Sequence, residues 1–293
     1  MRAKKVAFIA EFAKHLENSD RSPFTIKSYT NDLRTFATWF QATNSEALAP
    51  ASITPTDLRR YKQCLLQQRR KPKTINRRLA TLNSFLKWAV NAGHMPDGRQ
   101  PAMPGCVREV PAGPRWLDKK EKYTLVRAVE KYGQVRDVAI VKLLLNTGMR
   151  VQELCSLTWQ DVRLSDRKGE ITVQGKGRKQ RQIPLNKDAR NALELLNSSG
   201  ITPETTVVLQ GQRGALTPRG VQIMLQKYGQ LAGLEKVTPH TLRHTFCKEV
   251  LDSGRSLYEV AALAGHESLD TTRLYCEPSL KDLEFAVAAI EEG

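Results

Sequence analysis

The sequence predicts a mainly α protein: a small helical bundle, a linker, and a mainly helical α+β domain with a small antiparallel sheet. Three observations carry this expectation. Apolar residues recur at three- and four-residue spacing through the first hundred residues and again through most of the second half. A dense run of proline and glycine separates the two halves. One segment, Glu170 to Leu185, alternates apolar and polar residues as a hairpin does. An apolar fraction of 40% over 293 residues supplies a core and suits one large or two ordinary domains.

The expected division is residues 1–100, 101–115 and 116–293. In the first part Leu33, Phe36, Trp39 and Phe40 share a helical face, after Ser22 and Thr25 as a polar start. A second helix begins with Thr54 as N-cap, Pro55 as first residue and Asp57 in the first turn. A third carries Ile75, Leu79, Leu82, Phe85 and Leu86 and ends near Gly93. Pro96, Pro101, Pro104, Gly105, Pro111, Gly113 and Pro114 then resist helix and sheet alike, as a linker does. The second part opens at Trp116, with Asp118 and Glu121 as a helix cap and its third-position partner. That helix stops at Gly133, and another from Asp137 stops at Gly148. In the hairpin, Ile171 and Val173 lead to a Gly175-Lys176-Gly177 turn, and Ile183 and Leu185 return. Helices follow to the end.

Charge narrows the function. There are 46 Lys plus Arg against 30 Asp plus Glu, a formal net charge of +16. Such an excess works against compactness, and an anionic partner compensates it. Nucleic acid fits best. No apolar run approaches the ~18 residues that span a bilayer, and Glu11 and Lys14 break the first apolar patch too early for a signal peptide. The scattered, odd set of five cysteines points to a reducing, cytoplasmic setting and away from a disulfide framework or a zinc site. From Arg59 to Arg78 there are nine basic residues and no acid: Arg59, Arg60, Lys62, Arg69, Arg70, Lys71, Lys73, Arg77 and Arg78. This run reads as a surface that follows phosphates, the alternative being a solvated helical face.

Four segments carry chemistry. Thr238 and Pro239 begin a helix whose His240, Arg243 and His244 share one face of its first turns. A helix start already favours anions, and two imidazoles with a guanidinium suit a phosphate gaining charge. Alone, the segment reads equally well as histidines satisfying local hydrogen bonds. Next, Ser256 and Glu259 form a capping box and Gly265 a helix stop. His266, Ser268 and a short helix holding Thr271, Thr272 and Tyr275 follow, ended by Pro278. Upstream, Arg150 starts a helix just past the Gly148 stop, with Glu153 one turn on to hold the guanidinium or simply pair with it. Lys176 sits on a two-glycine turn that allows close approach to DNA, where its ammonium can give a proton to a leaving oxygen; alone it reads as a solvated turn lysine, and Arg178, Lys179 and Arg181 can do similar jobs or contact DNA.

Taken in order, Thr-Gly-Met-Arg-x-x-Glu-Leu, Gly-Lys-Gly-x-x, His-x-Leu-Arg-His and Gly-His-x-Ser-x-x-Thr-Thr-x-x-Tyr resemble the tyrosine recombinases (phage integrase family), especially their short Xer-like members. The resemblance covers nearly the whole chain. It implies a SAM-like helical core-binding domain over residues 1–100 and a catalytic domain over 116–293, together gripping duplex DNA from opposite faces. It further implies that Arg150 and Arg243 clamp the non-bridging oxygens of a scissile phosphate, while His240 and His266 add hydrogen bonds or assist proton movement. Lys176 would be general acid on the leaving 5′-hydroxyl, and Tyr275 the nucleophile forming a 3′-phosphotyrosyl link. Glu153 and His244 would take supporting roles. A 5′-hydroxyl from a second duplex then reverses the step, with no metal, ATP or other cofactor. The residues agree, since no carboxylate cluster has two-metal nuclease spacing. Cys276 and Glu277 stand where some Xer-like members carry a histidine, which bears on local packing.

Ser279 and Asp282 can begin a last helix with Leu283, Val287 and Ile290 on one face. The resemblance implies that residues 280–293 dock on an adjacent protomer within a tetramer on two DNA duplexes. Two other readings stay open from sequence: a non-catalytic architectural DNA-binding protein, and a type IB topoisomerase. A single-strand RNA binder is disfavoured, because the aromatic stacking motifs are missing.

Overall fold

The structure is a computed structural model that describes residues 2–95, 98–109, 113–175, 180–198, 207–211, 214–266, 268–273 and 275, with backbone alone at 2–6 and 271. The chain divides into two compact units, Met1–Pro111 and Ala112–Gly293.

The first unit is a helical bundle. Helix α1 (Arg2–Asn18) precedes α2 (Pro23–Asn44), which starts where Ser22 accepts the Thr25 backbone N–H. Thr54 caps α3 (Pro55–Gln67) in a reciprocal box with Asp57, and α4 (Pro72–Asn91) follows. Phe12, Leu33, Phe36, Phe40, Leu58, Ile75, Leu82, Phe85 and Leu86 form the core. Each large apolar side chain buried there contributes about 1.5 to 3 kcal/mol of burial free energy. Helix α1 was not legible as a separate element, because its apolar residues are flanked closely by charge on every side.

Part of the stretch expected as a linker is held against the first unit. Lys62 Nζ donates to the Gly105 carbonyl at 2.6 Å, and Asn76 clasps the Val107 backbone at 2.8 and 2.9 Å. Met103 and Val107 pack on the core.

The second unit is built around α6 (Val135–Thr147), whose Ile140, Val141, Leu143, Leu144 and Leu145 are all buried. A helix that buries so many apolar residues belongs at a domain centre. It begins two residues before Asp137, the expected start. Packed on or near it are α5 (Lys119–Tyr132), α8 (Lys187–Ser198), α9 (Pro218–Leu231) and α10 (Pro239–Asp252). Asp118 and Glu121 cap α5 as expected. The sheet has three antiparallel strands in the order β1 (Val162–Leu164), β2 (Gly169–Gln174), β3 (Gln180–Pro184). Ile171 faces Ile183 and Val173 faces Arg181 across the hairpin. Strand β1 was not expected, three residues being too few for an alternation to show. A two-residue pair, β4 (Gln210–Gly211) with β5 (Gly214–Ala215), completes the strands among the described residues.

Three short helices frame the site: α7 (Val151–Cys155), α11 (Leu257–Ala264) and α12 (Leu269–Arg273). The sequence reading put Tyr275 inside the last of these. It lies beyond it, in a turn where its N–H reaches the Thr272 carbonyl at 3.1 Å. Lys176, Arg178 and Lys179 at the hairpin tip, and the segment 280–293, lie outside the described residues.

Candidate active site

Arg150 is set by two turns. Gly148 ends α6 in the left-handed region, φ 60°, and Arg150 is the N-cap of α7. A side chain at Gly148 would be strained there and would also enter the Phe246 ring, with Phe246 Cε1 at 2.6 Å from the Cβ position. The close seating of α6 on α10 therefore requires glycine. The Arg150 guanidinium donates to Glu153 Oε1 at 3.0 Å and to the Gly265 carbonyl at 2.5 Å, with its side chain 40% exposed.

Arg243 reaches the same place from α10. Thr238 caps that helix and Pro239 opens it. Lys122 of α5 anchors it at Glu249 (2.7 and 2.8 Å), and Thr245 Oγ1 accepts the Leu117 backbone N–H at 2.8 Å. The Arg243 side chain is buried, and one Nη donates to the Gly148 carbonyl at 2.7 Å. Burial, and then the neighbouring Arg150 charge, lower its pKa. Two guanidinium groups held close together within protein suit the binding of an anion.

The third contributor is the segment after α11. Gly265 stops that helix at φ 68°, and His266 follows, its Nδ1 hydrogen-bonded to Thr272 Oγ1 at 2.8 Å. The His266 ring stacks on that of Tyr275, interplanar angle 8°, centroids 6.3 Å apart. Tyr275 is 2% exposed. Its hydroxyl shares a hydrogen bond with His244 Nδ1, and the buried Cys247 belongs to the same packed cluster. Burial raises the phenol pKa well above its usual value. Burial also lowers His244 and His266 to about 4, helped by His240 and Arg243 at His244 and by Arg243 and Arg150 at His266. Both imidazoles are thus neutral at neutral pH. The exposed His240 is one turn from His244, ring centroids 6.1 Å apart.

Arg181 departs from expectation. Read from sequence as a DNA contact, it is instead turned into the protein with its side chain 14% exposed. Two nitrogens donate to the two Glu153 oxygens, each at 2.8 Å, and Nε donates to the Leu263 carbonyl at 3.1 Å. Glu153, 8% exposed, also accepts the Arg150 backbone N–H at 2.6 Å. Burial works against its charge, yet the bonds from Arg181 and Arg150 outweigh it and keep the carboxyl below the usual range. A signal for this was present. Arg181 shares hairpin phase with Ile183, so alternation places both on the inner face, where a cation requires a partner.

The basic run in the first unit also sorts itself. Arg59, Arg60, Arg69, Arg70, Lys71 and Lys73 are exposed. Arg77 pairs with the buried Asp32, and Arg78 lies 3.7 Å from the same carboxylate. With Lys62 on Gly105, these three have partners within the protein, Arg77 while still exposed.

Comparison with known proteins shows the family. Residues 115–281 match the Phage integrase family, and residues 9–93 match the Phage integrase, N-terminal SAM-like domain. The tyrosine recombinase XerC of Thermodesulfovibrio yellowstonii is 31% identical over 289 residues, covering 94% of this chain and 93% of that protein. XerC of Oceanobacillus iheyensis is 34% identical over 281 residues, covering 92% and 90%. Among solved structures, the pre-cleavage complex of the XerH site-specific recombinase bound to difH substrate has a TM-score of 0.74 at 22% identity. It covers 95% of this chain and 83% of that one, a likeness of fold. With matches across both units and relatives aligned over nearly its full length, this chain belongs to the phage integrase family, the tyrosine recombinases.

Proposed function

We propose that this recombinase breaks and rejoins duplex DNA at defined sites through Tyr275, with Arg150 and Arg243 holding the scissile phosphate. The observation that carries the reading is convergence: two arginines, two neutral histidines and a tyrosine, drawn from separate segments, meet around one small region. Tyr275 Oη forms a bond to phosphorus as the bond from phosphorus to O5′ breaks. The phenolic proton leaves to a neutral base, and His244 Nδ1 is already hydrogen-bonded to that oxygen. Lys176 protonates the departing O5′. The two guanidinium groups offset the extra charge on the five-coordinate phosphorus, with His240 and His266 as further donors. A 5′-hydroxyl of another strand then attacks the phosphotyrosine, restoring the phosphodiester and the phenol, so the bond energy is kept and no ATP or metal is consumed.

The partner is double-stranded DNA, gripped in part by exposed Arg59, Arg60, Arg69, Arg70, Lys71 and Lys73. Four copies acting on two sites, joined through residues 280–293, complete the reading, with the cytoplasm as the setting. A nicked duplex that loses the short fragment bearing the freed 5′-hydroxyl after cleavage tests the chemistry. Wild-type protein accumulates as a covalent adduct, and Tyr275→Phe binds the same DNA without one. Undiminished cleavage by Tyr275→Phe rules the reading out.

A further inference from the structure

We propose that Arg181 is a positioning residue that fixes the guanidinium of Arg150 for the phosphate. The inference rests on the recombinase chemistry above.

Arg181 uses all three faces of its planar fork inside the protein. Its paired bond to Glu153 fixes both oxygens of that carboxylate. Those same oxygens receive the backbone and the side chain of Arg150, so Glu153 cannot rotate without releasing Arg150. A second route runs through Gly265. Its carbonyl accepts from Arg150 Nη2 at 2.5 Å, while a Cβ there would lie 2.8 Å from Arg181 Nη1 and 2.9 Å from Cζ. The backbone that holds Arg150 is thus seated on the Arg181 guanidinium. The third bond, to Leu263, fixes the last turn of α11, from which Gly265 and His266 emerge. Arg181 therefore joins β3, α7 and α11 at one point, and both contacts of the Arg150 guanidinium pass through groups that Arg181 holds.

A long flexible side chain such as Arg150, 40% exposed, has many rotamers to lose. Holding it in one of them before DNA arrives is worth more than charge alone, since a misplacement of about 1 Å can cost on the order of a hundredfold in rate. Lysine cannot replace this function, because a single ammonium cannot bridge both carboxylate oxygens and a carbonyl.

The test uses full-length protein and a nicked duplex bearing the sequence recovered from the trapped adduct. One version has an ordinary scissile phosphate. The other has a methylphosphonate in which the missing oxygen is the one Arg150 holds. On the phosphate, Arg181→Met should cleave about 10- to 100-fold more slowly, with affinity for DNA within about twofold, and Arg181→Lys should recover little. On the methylphosphonate there is no charge for Arg150 to meet, so Arg181→Met and Arg150→Ala should both approach the wild-type rate. Arg181→Met combined with Glu153→Gln removes the unpaired buried carboxylate and keeps the comparison possible if the single variant melts. Equal loss on both substrates, or wild-type cleavage of the phosphate by a folded Arg181 variant, overturns the proposal. A wild-type protein forming no adduct with either duplex overturns the parent reading and this one with it.

Discussion

Arg150 is the residue at which the chemistry is most exposed to test. Removing one preorganised donor from such a site costs on the order of a hundred- to a thousandfold in rate. Arg150→Ala should therefore slow adduct formation by about that factor while DNA affinity, measured by gel shift, changes little. The neutral histidines make a second prediction. His244 and His266 titrate near 4 in the folded chain, against 6.5 unperturbed, so between these values the unfolded chain binds protons that the folded chain does not. Stability is then present above pH 6.5 and is lost as pH falls toward 4. Thermal melting should drop between pH 7 and pH 5, and the drop should shrink in His266→Asn. An identical slope in that variant would show that His266 is not held neutral by the fold.

At the scale of elements, local chemistry was the legible part. Ser22, Thr54, Asp118, Thr238 and Ser256 cap helices where the sequence placed them, and Gly148 and Gly265 stop helices in the left-handed conformation. These signals act over three or four residues, which is why they read without a fold. Tyr275 falls two residues past the end of α12, packed with Phe246 of α10 and Val260 of α11, and no stop signal at Arg273 marks that end in the sequence. Arg181 and Cys247 were missed as neighbours of Glu153 and Tyr275 because those contacts join segments distant in sequence. Gly148 is where the element scale meets stability. Gly148→Ala would combine a strained backbone with overpacking against Phe246, a loss of about 2 to 3 kcal/mol. A melting temperature within a degree of wild type would contradict that account.

For the whole molecule, a net charge of +16 works against folding and for DNA. Each phosphate contact should add about 0.9 to the slope of log affinity against log salt. Replacing the exposed Arg70, Lys71 and Lys73 with glutamine should flatten that slope, whereas replacing Arg77, which is paired with Asp32, should act mainly through stability. The basic stretch as a whole was visible in sequence, but only folding separates cations that face solvent from those that hold carboxylates. Deleting residues 280–293 should weaken synapsis of two DNA sites in a gel-shift assay and leave binding to a single site intact. The most direct measurement of all is the identity of the bond between protein and DNA. After trapping, digestion and mass spectrometry, one nucleotide-bearing peptide is expected, joined through Tyr275 to a 3′-phosphate. A DNA link on any other residue, or to a 5′-phosphate, would contradict it.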